Sequence, residues 1–124
     1  MSEQPRMFQR GLIAAVNEAR EIIEDAIAEH QPEAVCLLYS GGKDSSVVLD
    51  VCAEYADHIV HIDTGVGLAA TRQFVEDECA RRDVSLIVES GESYRDMVMK
   101  HGFPGPHAHL YAYSLLKERA LRKV

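Results

Sequence analysis

Cysteine is scarce and unpaired in this chain. Cys36, Cys52 and Cys79 are the 3 present, an odd and widely spaced set without a C-x-x-C pair, which argues against a disulfide framework and against a zinc or iron-sulfur cage. All of them fall at apolar positions and read as buried thiols. Long apolar runs are missing too. None approaches the roughly 18 residues a membrane span needs, and the N-terminus lacks the charged-then-apolar layout of a secretory signal. The expectation is a soluble, cytoplasmic protein with no membrane partner. Basic charge is in deficit, with 13 lysines and arginines against 20 acidic residues and a formal net charge of -7. That balance argues against a nucleic-acid-coating role for this domain alone. With 124 residues, no low-complexity tract and no linker, residues 1–124 read as a single domain.

What is present is an alternation of helical and strand patterns. Phe8, Leu12, Val16, Ala19, Ile23 and Ala26 recur at helical spacing with acidic residues between them, predicting an amphipathic helix over about residues 8–28 packed on the core. Pro32 closes the connection, and Ala34 to Tyr39 has the length of a buried strand. Val47, Val48, Val51, Cys52 and Tyr55 predict a helix from about Ser45 to Tyr55. The apolar run His58 to Ile62 predicts a second strand, with His58 and His61 on opposite faces by parity. Thr71, Phe74, Val75, Glu78 and Cys79 share one stripe of a third helix, and Val84 to Val88 reads as a third strand. Ser93-x-x-Asp96 has capping-box spacing and opens a short helix that Gly102 can end. A last helix, from about His107 to Arg122, would turn Leu110, Tyr113, Leu116 and Ala120 inward. Strand-helix alternation implies an α/β fold with a parallel sheet and right-handed crossovers. Only three strands are visible, and parallel sheets rarely leave edges bare. A homo-oligomer or a second subunit along the edge is therefore expected, unless the chain is part of a longer fold.

Between the first strand and the helix after it lies Ser40-Gly41-Gly42-Lys43-Asp44-Ser45-Ser46. Glycines at the start of a helix let an anion approach main-chain N-H groups and the positive end of the helix dipole, and the serines add hydroxyl donors. The spacing is not the G-x-x-x-x-G-K-[ST] of ATPases and GTPases. A rival phosphate motif, Gly65-Val66-Gly67-Leu68-Ala69-Ala70, fits G-x-G-x-x-A, with Glu89 near the place of a ribose-binding acid, but it follows the second strand and leaves Ser40 to Ser46 without a purpose. The blander alternatives are a ligand-free turn at Gly41-Gly42, an Asp63 that caps the turn after it, and a basic last helix that complements its own dipole. His101, His107 and His109 do not have zinc-frame spacing and read as structural or solvated.

The sequence Ser40-Gly41-Gly42-Lys43-Asp44-Ser45 resembles the S-G-G-x-D-S pyrophosphate loop of the adenine nucleotide α-hydrolase-like (HUP) superfamily, a three-layer α/β sandwich. Within it the chain is similar to the phosphoadenylyl-sulfate (PAPS) reductase family and its sulfurtransferase relatives. Asp63-Thr64-Gly65, Thr71-Arg72-Gln73-Phe74-Val75, Gly102-Phe103-Pro104-Gly105-Pro106 and Leu116-Lys117 look like further landmarks. The resemblance implies that Ser40, Gly41, Gly42, Asp44, Ser45 and Ser46 hold the phosphate or sulfate end of ATP, adenylyl sulfate or PAPS. Asp63, Thr64 and Gly65 would lie beside the nucleotide, and the adenine would rest near Leu38, Tyr39 and Ile62. Lys117 and Lys43 are candidate anion contacts. Asp44 is a candidate for positioning Mg in an ATP pyrophosphatase reaction. Where iron-sulfur reductases of the family carry a Cys-Cys pair, this chain has Ala112 and Tyr113, so no cluster is expected. No cysteine follows Cys79, which removes the family's C-terminal thiol nucleophile. A non-catalytic nucleotide-binding or assembly module is the competing class.

Overall fold

A computed structural model describes the chain from Glu3 to Val124, with side chains described outside residues 1–10 and His109. The side chains of Phe8 and His109, both singled out above, lie outside what is described. The first helix, α1, runs Glu3–His30, longer at both ends than its apolar stripe suggests. Gln31 then takes a left-handed conformation with φ 44, and Pro32 cannot continue a helix. Val16, Ala19 and Ile23 are half-buried as expected, but Leu12 and Ala26 are exposed. The contacts that hold α1 involve its second half: Arg20 Nε meets Glu54 Oε1 at 3.3 Å, and the Tyr55 hydroxyl donates to Glu24 Oε1 at 2.6 Å. That bond pushes the Tyr55 phenol up to about 12.

The chain continues as β1 (Cys36–Leu38), α2 (Lys43–Cys52) with a 3-10 turn (Ala53–Tyr55), β2 (His58–Ile62), α3 (Ala69–Arg81), β3 (Leu86–Glu89) and α4 (Tyr94–His101). It ends in α5 (His109–Tyr113), a π turn (Ser114–Glu118) and α6 (Arg119–Leu121). The strands form one sheet in the order β1-β2-β3, with both pairings parallel. Each crossover carries a helix because parallel neighbours cannot be joined by a tight hairpin.

The position of β2 in the middle decides what is buried. Ile59, Val60 and His61 are all buried, whereas on the edge strand Leu37 and Tyr39 point into the core and Leu38 is 53% exposed. Leu37, Tyr39, Ile59 and Leu86 meet Leu49 of α2 and Val75 and Cys79 of α3 in one cluster. Each fully buried aliphatic side chain there contributes about 1.5–3 kcal/mol. On the opposite face, Leu38, Val60 and Ile62 look toward Tyr113, Lys117 and Leu121 of the C-terminal segment. A second cluster, Met97, Leu115 and Leu116, joins that segment to α4. The result is helix, sheet, helix: the three-layer α/β sandwich of HUP type, with three parallel strands.

Several expectations need correcting. Cys36 is exposed and Cys52 only half-buried, leaving Cys79 as the one buried thiol; Cys36 sits on the outward parity of an edge strand. Burial pushes the Cys52 and Cys79 thiols above their ordinary value. On α2, Leu49 is the residue facing the core, and Val47 and Val48 are 63% and 47% exposed. The sheet engages only one line of that helix, while Val48 lines a groove against Ile23 and Val35. In the last helical segment Leu110 and Tyr113 are 86% and 50% exposed, while Leu115, Leu116 and Ala120 are buried. The π turn widens the helix locally and shifts its side chains out of the 3.6-residue phase on which the expectation rested. By contrast, Ser93 caps α4 as its spacing implies, its Oγ accepting from the Asp96 N-H at 3.4 Å, and Gly102 ends the helix with φ 78. Among the described residues no helix is long and apolar enough to cross a membrane.

Candidate functional site

The loop after β1 is shaped by two adjacent glycines. Gly41 has φ +87, and a Cβ there would meet Val75 Cγ2 at 3.0 Å and Thr71 Cγ2 at 3.3 Å, so the loop lies directly on α3. Gly42 occupies the N-cap of α2, where no side chain caps the helix. The serines brace the turn from within. Ser40 Oγ and Ser45 Oγ are 2.9 Å apart, the Ser46 hydroxyl donates to the Gly42 carbonyl at 2.7 Å, and the Tyr39 hydroxyl lies 3.2 Å from Ser46 Oγ. A capping side chain would occupy the first N-H groups of α2; here none does, and they stand at the positive end of the helix dipole.

Beside the loop, at the carboxyl ends of β1 and β2, lies a cleft of about 470 Å³ lined by Ser40, His61, Asp63, Thr71, Arg72 and Lys117 among others. A neighbouring hollow of about 270 Å³ shares Ser40 and Lys117 and adds Leu38, Tyr39, Val60 and Tyr113. Ile62, Thr64 and Gly65 also line the larger cleft. Open parallel sheets bind ligands at this end because the strands deliver loop and helix N-termini there.

Asp63 does cap the turn that follows it, accepting the Gly65 N-H at 2.9 Å. Its second oxygen accepts from Arg72 Nη1 at 3.1 Å. Hydrogen bonds to Glu76 and Asp63 push the Arg72 guanidinium above its ordinary value, so it is a fixed cation in the cleft. Lys43 and Asp44 stand outside, each with a side chain 91% exposed and paired with the other at 2.7 Å. Gly41, Gly42 and Ser46 form the loop's frame rather than the lining of either hollow. Lys117, far away in sequence, reaches both hollows. His61, Thr71 and Arg72 are lining residues that motif reading passes over as ligand contacts; for Thr71 and Arg72 the available signal is their place in the first turn of a helix just after Asp-Thr-Gly.

Among the described residues, no three His, Cys, Asp or Glu side chains come together as a metal site. Asp44 is the one acidic side chain of the loop, and Mg commonly relies on one or two carboxylates plus the phosphates of its nucleotide. A protein-built cation cage does not fit the described residues, and Asp44 itself stands at the rim, exposed and paired with Lys43. The rival glycine motif forms the turn between β2 and α3, with Gly65 at φ +75, and Glu89 accepts the Asp63 N-H through its carbonyl at 2.9 Å.

A parallel α/β sheet with a glycine loop at an uncapped helix start, beside a cleft at the strand ends, is the architecture of the adenine nucleotide α-hydrolase-like fold. A family model described as the phosphoadenosine phosphosulfate reductase domain matches residues 34–123; the chain belongs to that family. Along 73 residues it is also 33% identical to an uncharacterized protein of Methanocaldococcus jannaschii, a match that covers 57% of this chain and 18% of that relative. The chain therefore spans well under two thirds of that relative's length.

Proposed function

We propose that this domain binds an adenine nucleotide whose anionic end, the sulfate of adenylyl sulfate or PAPS or the phosphates of ATP, sits over Ser40 to Ser46. The observation that carries the reading is the uncapped N-terminus of α2 beneath the Ser-Gly-Gly turn, opening beside a cleft with Arg72 and Lys117 in its wall. The adenine has a place in the smaller hollow among Leu38, Tyr39 and Ile62. With PAPS, the chemistry is attack of a thiolate on the sulfate sulfur, with the nucleotide phosphate oxygen as leaving group. With ATP, a nucleophile attacks the α-phosphorus and pyrophosphate leaves. Main-chain N-H groups at the helix start and the two cations would stabilise the leaving anion in either case.

A binding or assembly module without its own chemistry is the second reading. It is supported by the thiols: none of Cys36, Cys52 and Cys79 lines the larger cleft or the hollow beside it, so sulfur attack needs a thiol from elsewhere. Calorimetry with ATP, adenylyl sulfate and PAPS separates binding from none; micromolar to millimolar affinity for at least one is expected, and a folded domain that binds none would remove the proposal. Incubation with Mg-ATP, and with PAPS plus a thiol, then separates the readings. Release of AMP and pyrophosphate, or of sulfite, from this chain alone would defeat the module reading.

A further inference from the structure

His61 is the buried titratable group that the reading above leaves unused. It is 7% exposed, stands on the central strand and lines the larger cleft. Its Nδ1 lies 2.9 Å from the Tyr39 carbonyl oxygen. A carbonyl only accepts, so Nδ1 carries a proton, and in the neutral form of such a ring Nε2 is a bare acceptor. Nε2 has no hydrogen-bond partner among the described residues, and it is not one of the side-chain atoms sealed away from solvent without a partner. The ring is thus pinned at one nitrogen, just where the chain leaves β1 for the glycine loop, and open to the cleft at the other.

The charges facing His61 come from three elements. Asp63 at the end of β2 and Arg72 of α3 pair with each other, with Glu76 also on Arg72, and Lys117 projects from the π turn. Lys43 and Asp44 of α2 pair at the rim. Arg72 is shared by two carboxylates, Asp63 and Glu76, so among the described residues Lys117 is the cation of the cleft wall without an ion-pair partner, and a proton on His61 would add a second.

We propose that His61 is a proton-dependent contact for the anionic part of the bound nucleotide, with Nε2 protonated when the ligand is in place. The proposal rests on the nucleotide reading above. Nδ1-H stays on the Tyr39 carbonyl, a proton is taken from solvent at Nε2, and the resulting N-H donates to a ligand oxygen. Proton uptake at Nε2 is then linked to binding, so affinity falls as pH rises.

Calorimetric titrations of ATP and PAPS across pH 6 to 8.5 test this. The pH dependence of wild type is compared with that of His61→Asn, so that the ligands' own protonation cancels. The asparagine amide takes the place of Nδ1 and keeps the bond to Tyr39, but offers nothing at Nε2. Wild-type affinity should fall by up to about tenfold per pH unit beyond the fall seen in His61→Asn. At the acid end the variant should be weaker by roughly ten- to hundredfold. His61→Gln, with an amide nitrogen at the Nε2 place, should restore part of the affinity with a flat profile. Equal affinity and equal pH profiles in wild type and His61→Asn would overturn the assignment and leave the nucleotide reading intact. Absence of any binding by wild type would overturn both. Nitrogen NMR of the wild-type ring is independent of whether the variants fold: an Nε2-H tautomer in the free protein, or no Nε2 response to saturating ATP, also overturns it.

Discussion

Replacing Gly91 by alanine is expected to destabilise the domain by about 3 kcal/mol or more, the upper range for forcing an atom into packed space. Gly91 follows β3, and a Cβ built on it would lie 2.2 Å from the Leu115 carbonyl oxygen and 2.8 Å from that of Leu116. Both are main-chain atoms of the π turn, so no rotamer change relieves the clash. Either the loop after β3 or the turn must move. Moving them breaks the bond from the Glu92 N-H to Leu115 O, 2.9 Å long, and that from Lys123 Nζ to the Ser90 carbonyl, 2.7 Å long. It also loosens Lys100 and Arg119, which converge on Glu92; its hydrogen bond to Glu92 pushes the Lys100 ammonium above its ordinary value. Lys117 belongs to the displaced turn, so nucleotide affinity should fall along with the melting temperature, the latter by roughly 10 °C or more. Gly105→Ala is the control, since nothing lies within 4 Å of a Cβ at Gly105. A Gly91→Ala domain that melts with wild type would mean that the C-terminal segment does not pack on this loop.

The second large effect falls on the ligand. Gly41→Ala combines a left-handed φ of +87 with contacts of 3.0 and 3.3 Å to the Val75 and Thr71 methyl groups. The backbone conformation alone costs about 1–2 kcal/mol for a residue with a Cβ, and the contacts press the loop away from α3. Relaxation of the loop rotates the N-H groups at the start of α2 and breaks the serine bracing. Nucleotide affinity should drop at least tenfold by calorimetry, while the fold, held by a core to which Gly41 adds no side chain, survives with a modestly lower melting temperature. Unchanged affinity in a folded variant would place the anion site elsewhere.

These positions differ in how much of them the sequence discloses. The glycine loop, the span of β2 and the Ser93 cap depend on local chemistry, namely which residues tolerate a turn, alternate along a strand or bond their own backbone, and the motif reading finds them. Gly91 gives no such sign. Its need for a missing Cβ comes from a carbonyl in another part of the chain, exposed by a π turn that a 3.6-residue period does not anticipate. Leu110 and Tyr113 were expected inward for the same reason. Cys36, Val47 and Val48 depend on strand order: an apolar residue on β1 is covered only if another strand or helix lies beyond it, and order is a property of the assembled sheet. Lys117 is legible only through the likeness of Leu116-Lys117 to a family landmark. Arg72 and His61 enter the site through the geometry of the cleft they line.

The central claim is that an adenine nucleotide lies at the carboxyl ends of β1 and β2 with its anionic end over Gly41 and Gly42. A crystal structure of the domain soaked with ATP or PAPS tests it most directly. Phosphate or sulfate oxygens are expected within hydrogen-bond distance of the main-chain N-H groups at the start of α2, with the base near Leu38, Tyr39 and Ile62. A nucleotide bound elsewhere, or the base seated over the glycines with its phosphates turned away from α2, would contradict it.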